Sequence, residues 1–224
     1  MDKKQLAGEA AVKYVEDGMV IGLGTGSTVY YALLKLGERV AEGLRIQGIP
    51  TSEATAELAN RLHIPLTTFA QNPRLDLTID GADSVTPDFH LIKGGGGALL
   101  REKLVAAASD RLIVIVDDSK LAQTFEGVSI PVEVVPFAWE TTAARLAEIG
   151  GRWTLRMKDG KPFVTDNHNY ILDTVFDRIP SVPDLESTLK RMIGVVESGL
   201  FIGMTSTLIV GYVDGARIVE VPTA

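Results

Sequence analysis

MVIGLGTGSTVYYALLKLGERV (residues 19–40) reads as strand, glycine loop and helix in immediate succession. Met19-Val20-Ile21 is a short apolar run, Gly22, Gly24 and Gly26 punctuate its end, and a helical pattern runs from Val29 to Val40. The run lacks polar alternation, as expected of a parallel strand covered on both faces. The order repeats downstream: Leu44 to Gly48 offers a strand, Ser52 to Leu62 a helix, Ile64 to Thr68 a further short strand, and Leu75 to Ile79 a strand ending at Asp80-Gly81. Arg111 to Val116 is the strongest central strand, because Leu112 through Val116 are continuous and mostly β-branched. Before the quoted stretch, Leu6, Ala10, Val12, Tyr14 and Val15 form one face of an opening helix.

The rhythm changes at Gly127 to Pro136, where Gly and Pro interrupt the pattern. Beyond it come a helix over Phe137 to Ile149, a strand over Arg152 to Met157, a turn over Lys158 to Pro162 and one or two strands within Phe163 to Phe176. Pro180, Pro183 and Asp184 announce a helix over Ser187 to Ile193, and Val195 to Phe201 supplies a last strand. Leu208 to Val213 and Arg217 to Val221, joined by Asp214-Gly215, suit a hairpin that returns to the edge of the first sheet. The expected architecture is α/β, a Rossmann-like, mostly parallel sheet flanked by helices in residues 1–127 plus 205–224. A smaller α+β domain occupies 128–204.

Composition narrows the function. With 224 residues, 46% of them hydrophobic, the chain can bury a core, which excludes disorder as its main state. Twenty-two Lys and Arg against 29 Asp and Glu leave a formal charge of -7, which argues against nucleic acid or an anionic membrane as partner. There is no Cys, and three His are scattered, so neither a thiolate nucleophile nor a metal-ligand pattern is present and no metal or cofactor is required. The start, MDKKQLAGEAAVKYV, lacks the apolar run of a signal peptide, and a cytoplasmic location is expected.

Chemistry concentrates at the loops after the strands. Gly24-Thr25-Gly26-Ser27-Thr28 offers backbone N–H groups, hydroxyls and a helix start to a phosphate or carboxylate; the alternative is a tight turn with a helix cap. It lacks the Lys-Ser/Thr ending of a P-loop and the acidic partner of a dinucleotide site. Asp80-Gly81-Ala82-Asp83 sets two carboxylates at a strand end, either aimed into a cleft or stabilising a turn. Lys93 precedes Gly94, Gly95, Gly96 and Gly97, a run whose backbone entropy a close ligand approach would explain. Glu102 either points towards that loop or faces solvent within Arg101-Glu102-Lys103; Lys120, after Asp117-Asp118-Ser119, has the same two readings. His63 and His90 read as ordinary loop residues, His168 as part of a polar turn, and Phe137, Trp139, Trp153, Phe163 and Phe176 as core or interface.

Five ordered motifs, Gly22 through Thr28, Asp80 through Asp83, Lys93 through Ala98, Arg101-Glu102-Lys103 and Ser119-Lys120, together resemble the type A family of ribose-5-phosphate isomerases. Pro131-Val132-Glu133-Val134-Val135-Pro136 and Val164-Thr165-Asp166-Asn167 extend the resemblance over nearly the whole chain. It implies a cofactor-free, reversible isomerisation of ribose 5-phosphate and ribulose 5-phosphate through an enediol-like intermediate, within the non-oxidative pentose phosphate pathway, by a homodimer. Glu102 matches the family's catalytic base, Asp80 and Asp83 the residues at the reacting end of the sugar, and Lys93 a cation there. Gly24, Thr25, Gly26, Ser27 and Thr28, together with Gly81, Ala82, the four glycines and Lys120, match the substrate-binding positions. Lys4 matches an amino-terminal lysine near the phosphate. Two positions depart: Ser84 where the family commonly has an acid, and His168 where it commonly has glycine. The competing readings are another sugar-phosphate isomerase, a coenzyme A transferase-like protein, or a sugar-phosphate sensor without turnover. The intact set of Asp80, Asp83, Lys93, Glu102 and Lys120 favours catalysis.

Overall fold

In the computed structural model, which describes residues 2–222, the apolar runs of the first half become neighbouring strands. Met1–Ala82, Arg101–Leu121 and Met204–Ala224 form one unit around a six-stranded sheet. In spatial order its strands are Gly215–Glu220, Thr207–Tyr212, Leu112–Asp117, Leu77–Gly81, Val20–Leu23 and Gln47–Pro50. All neighbours are parallel except the Thr207–Tyr212 and Gly215–Glu220 hairpin, which closes one edge. Leu112–Asp117 is buried along its whole length, as its unbroken apolar run predicts.

Helices Lys3–Val12, Ser27–Ala41 and Glu53–Arg61 belong to the same unit. Val29, Ala32, Leu33 and Leu36 recur at helical spacing and pack with Ile21, Leu23, Ile79, Ile113, Ile115 and Ile209 into one core. Gly8 lets the first helix cross the second closely, since a Cβ there would lie 2.8 Å from the Ala32 backbone nitrogen. Val20–Leu23 has Gln47–Pro50 on one side and Leu77–Gly81 on the other, so the winding of the sheet reverses at this strand. Loops leaving such a switch point diverge and open a crevice at the carboxyl ends of the two strands. Gly24 to Thr28 and Asp80 to Ala82 are the residues at those ends. The strand expected over Ile64 to Thr68 is only an isolated bridge, Gly48 with Leu66, because Pro65 has no N–H to extend the ladder.

Asp83–Leu100 and Ala122–Gly203 form the second unit. Its main sheet is antiparallel, in the order Val195–Ser198, Ser129–Val134, Tyr170–Phe176 and Gly151–Leu155, with helices Trp139–Glu148 and Val182–Arg191. Ile130, Val132, Val134, Leu146, Leu172, Phe176 and Leu189 make its core. Residues 83–100 and 122–127, expected in the main domain, group here instead. The reason is pairing: Leu91 and Ile92 sit between Phe201 and Leu200 on one side and Val85 and Ser84 on the other, and the Ala122 N–H donates to the Val85 carbonyl at 2.9 Å.

Three further expectations change. Gly127 to Pro136 holds the strand Ser129–Val134 rather than an interruption. Pro131 is tolerated there because its carbonyl accepts from Gly199 N–H at 2.7 Å, so its own nitrogen faces the same way, just past Ser198, where the neighbouring strand has ended. Lys158 to Pro162 is a small hairpin of Met157–Lys158 with Lys161–Pro162, turned by Asp159 and Gly160 in left-handed conformation. Val195 to Phe201 is two strands in two sheets, divided at Gly199. Among the described residues no helix is long and apolar enough to cross a membrane.

Gly199 is the joint of the second unit. A Cβ there would stand 2.2 Å from the Lys93 carbonyl oxygen and 3.0 Å from Pro131 Cδ, neither of which is free to swing away. Gly199→Ala is expected to lower stability by about 1–3 kcal/mol, read as a lower urea midpoint. An unchanged midpoint would show that the joint can give.

Candidate active site

The first unit builds a cradle at its switch point. The strand Val20–Leu23 ends at Gly24, whose N–H donates to the Ile79 carbonyl at 3.0 Å. A Cβ on Gly24 would lie 2.3 Å from Asp80 Oδ1, so only glycine leaves room for that carboxylate. Asp80 is 1% exposed, and its Oδ1 accepts from the N–H of Thr25 at 3.1 Å and of Gly81 at 2.8 Å. Its side chain thereby holds the glycine loop to the end of the next strand. Gly26, at φ +119°, then turns the chain into the helix Ser27–Ala41 and caps it without any side-chain hydrogen bond. The hydroxyls of Ser27 and Thr28 therefore do not cap this helix.

Thr25 points its hydroxyl the other way, to Thr51 Oγ1 at 2.7 Å, Ser52 Oγ at 2.8 Å and Thr55 Oγ1 at 3.0 Å. Thr51 and Thr55 pass their own protons to the carbonyls of Leu23 and Gly24. This hydroxyl cluster fixes the loop, and the sequence reading missed it; Ser52 also caps the helix Glu53–Arg61. Lys4 reaches the same loop, donating from Nζ to Ser27 Oγ at 2.9 Å. Beside it, Lys3 pairs with Asp118 at 2.8 Å, and Asp117 accepts from Ser119 N–H at 2.9 Å and from the Ser119 hydroxyl. Burial opposes ionisation of Asp117, yet the two Ser119 donors and the charges of Lys120 and Lys4 outweigh it and hold the carboxyl below its ordinary value. Lys4, Ser27, Asp117 and Lys120 thus share one polar neighbourhood.

Glu102 lies in the first turn of the helix Leu99–Ala107 and is 4% exposed, as is its neighbour Lys103 nearly so, while Leu104 faces out. The solvent-facing reading of Arg101-Glu102-Lys103 therefore fails for Glu102. Arg101 leaves the run to pair with Glu53 at 2.7 Å.

The second unit holds Asp83, Lys93 and the glycine run. Asp83 is exposed, unlike Asp80, and its Oδ2 accepts from Gly95 N–H at 2.7 Å. Gly94 and Gly97 have positive φ, and a Cβ on Gly94, Gly95 or Gly97 would strike Leu99, Asp83 or Phe163 respectively. Three of the four glycines are thus demanded by their surroundings. Lys93 is 2% exposed, with Nζ 5.6 Å from the centre of the Phe201 ring. Nearby in sequence order, Ser84 sits buried in the short strand Ser84–Val85. His168, at φ 62°, closes the turn begun by Thr165 in the left-handed conformation that glycine would adopt without strain. That turn hangs on Glu133 Oε1, which accepts from Thr165 Oγ1 and Asn169 Nδ2, each at 2.9 Å; burial pushes the Glu133 carboxyl up, against the pull of these donors. Among the described residues no group of three or more His, Asp or Glu is placed to hold a metal.

The family model described as ribose 5-phosphate isomerase A (phosphoriboisomerase A) matches residues 47–215. The ribose-5-phosphate isomerase A of Bacillus cereus (strain ATCC 10987 / NRS 248) is 53% identical over 218 residues, 97% of this chain and 99% of the relative. A D-ribose-5-phosphate isomerase solved in complex with phospho-erythronic acid matches with a TM-score of 0.94 at 38% identity, over 98% of this chain and 100% of its own. Ribose 5-phosphate isomerase A from Methanocaldococcus jannaschii gives 0.93 at 39%, over 98% of both. The chain belongs to the ribose-5-phosphate isomerase A family. It is an aldose–ketose isomerase that interconverts ribose 5-phosphate and ribulose 5-phosphate.

Asp117 gives the site a measurable pH signature. A carboxyl that ionises more readily in the folded than in the unfolded chain stabilises the fold above its ordinary value of 3.8, and that contribution fades as pH falls through the lower folded value. Asp117→Asn is therefore expected to lose about 1–3 kcal/mol near neutral pH, with the deficit shrinking in strong acid. Urea titrations of both proteins at the two pH values check this; an equal deficit at both would remove the charge from the account.

Proposed function

We propose that Glu102 is the base that moves a proton between carbon 2 and carbon 1 of the open-chain sugar phosphate. Removing a proton beside a carbonyl puts negative charge on the carbonyl oxygen, so the base needs a partner cation or N–H donor for that oxygen. Lys93 and the N–H groups of the glycine run take this role. Asp80 and Asp83 bind the sugar hydroxyls and relay the oxygen-bound proton. Lys4, Ser27 and the N–H groups at the start of the helix Ser27–Ala41 bind the phosphate, with Gly24, Thr25, Gly26 and Thr28 shaping that loop, and Lys120 completes the sugar contacts. Phosphate binding is remote from the reacting carbons and so supplies orientation as well as affinity.

The observation that carries this reading is the burial of Glu102 in a run of charged residues. A carboxylate withdrawn from water is costly, and a chain that needed only a solvated helix surface would not keep one there. The contrast between buried Asp80 and exposed Asp83 supports separate roles for the two acids. The phospho-erythronic acid held by one relative has a planar carboxylate on a phosphorylated polyol, which mimics the charge and shape of an enediolate.

A cytoplasmic homodimer is part of the same proposal. Phe137, 90% exposed, and Ile193, 78% exposed, are apolar side chains of the second unit that an interface between copies would cover. Sedimentation at micromolar concentration is expected to give twice the chain mass; a monomer would reject the dimer.

The proton-transfer assignment is tested by Glu102→Gln, which preserves shape and removes the base. Turnover of ribose 5-phosphate is expected to fall by about 10²- to 10⁴-fold with KM little changed and the circular dichroism spectrum retained. A rate near that of the parent protein would reject Glu102 as the base.

A further inference from the structure

Arg156 plays no part in the chemistry assigned above, and the sequence placed it only within an expected strand, Arg152 to Met157. Its guanidinium is nevertheless engaged at all three nitrogens. Nε and Nη2 donate to the two carboxylate oxygens of Asp173, at 2.8 and 2.5 Å, as a two-pronged ion pair. Nη1 donates to the carbonyls of Gly94 at 2.8 Å and Gly95 at 3.1 Å. The Phe163 ring, centred 5.8 Å from the guanidinium carbon, also occupies the space beside Gly97. One arginine is thus fixed by a carboxylate on one edge and grips two successive peptide groups of the glycine run with the other.

We propose that Arg156 is a positioning residue for the isomerisation, fixing the Gly94–Gly95 and Gly95–Gly96 peptide planes so that their N–H groups are aimed before substrate arrives. In a trans peptide the C=O and the following N–H point in opposite directions. With the Gly94 carbonyl on Arg156, the Gly95 N–H faces away from it, and there it meets Asp83 Oδ2 at 2.7 Å. With the Gly95 carbonyl on Arg156, the Gly96 N–H is likewise turned away from it, and Gly96 is an exposed residue. Four consecutive glycines have more backbone freedom than any other sequence, so without an anchor these donors would sample many directions. Donors aimed in advance at a developing oxyanion are worth more than donors that must reorganise. The guanidinium therefore orders both a loop N–H and the carboxylate of Asp83 without touching substrate. Lysine cannot replace it, because a single ammonium cannot hold a two-pronged carboxylate and two carbonyls in one plane.

This proposal rests on the reading that the glycine run meets the reacting end of the sugar, and the experiment separates the two. Arg156→Lys and Arg156→Gln are assayed for kcat and KM with ribose 5-phosphate, and amide hydrogen exchange is followed across residues 93–97. The expected result is a fall in kcat of about 10- to 100-fold in both variants, with KM within about threefold of the parent value, and faster exchange at Gly95, whose N–H is held by Asp83. The thermal midpoint is recorded alongside, and Arg156→Lys, which keeps the charge, is the variant to rely on if Arg156→Gln does not fold. Unchanged exchange with unchanged kcat would overturn the role of Arg156 itself. Faster exchange with unchanged kcat would overturn the placement of the loop at the reacting atoms. A loss confined to KM would show that the loop serves ground-state binding and would equally reject positioning for catalysis.

Discussion

The hydrogen bond from Thr25 N–H to the buried carboxylate of Asp80 is the constraint on which the first unit's chemistry depends. It ties the loops after two adjacent parallel strands together at the point where the sheet reverses its winding. It exists only because Gly24 has no side chain, as any Cβ there would fall on the Asp80 carboxylate. With that bond made, Gly26 can turn the chain and leave the start of the next helix without a side-chain cap, open to an anion. The hydroxyls of Thr51, Ser52 and Thr55 then brace the loop through the Thr25 hydroxyl, so its N–H groups are held in place.

The second unit solves a related problem by different means. Its loop Gly94 to Gly97 has no side chains with which to define its own shape. Side chains from other loops of the unit supply that definition: Asp83 holds an N–H, Arg156 holds two carbonyls, and Phe163 fills the space that a side chain on Gly97 would need. Glu133 performs the same service for the turn Thr165 to Asn169, at the cost of a fully buried carboxyl. Arg156 and Glu133 each act on their segment at two points, which fixes orientation as well as location.

Much of this was legible in the chain. The parallel strands announced themselves as unbroken apolar runs, and Leu112–Asp117 lies near the middle of its sheet because only a doubly covered strand can be apolar on every residue from Leu112 to Val116. The edge hairpin followed from Asp214-Gly215, and the loops worth inspecting followed from glycine placed where a strand meets a helix. Harder to read were segments whose pairing partners lie far along the chain. Ser129–Val134 contains a proline that local rules count against a strand, and its acceptance depends on where Ser198 happens to end. Residues 83–100 join the second unit through pairing with Leu200 and Phe201, a contact no local pattern announces.

By itself, then, the sequence determined the alternation of strands and helices, the glycine loops, and the identity of the acids and lysines at the strand ends, because each is encoded by residues within a few positions of one another. Tertiary structure alone decided that Glu102 is buried while Arg101 beside it is paired at the surface, and that Asp80 is enclosed while Asp83 is not. It alone gave Arg156 its two carbonyls, 62 and 61 residues away along the chain. Burial and long-range hydrogen bonding are properties of what packs against a residue, and a sequence read locally contains no term for them.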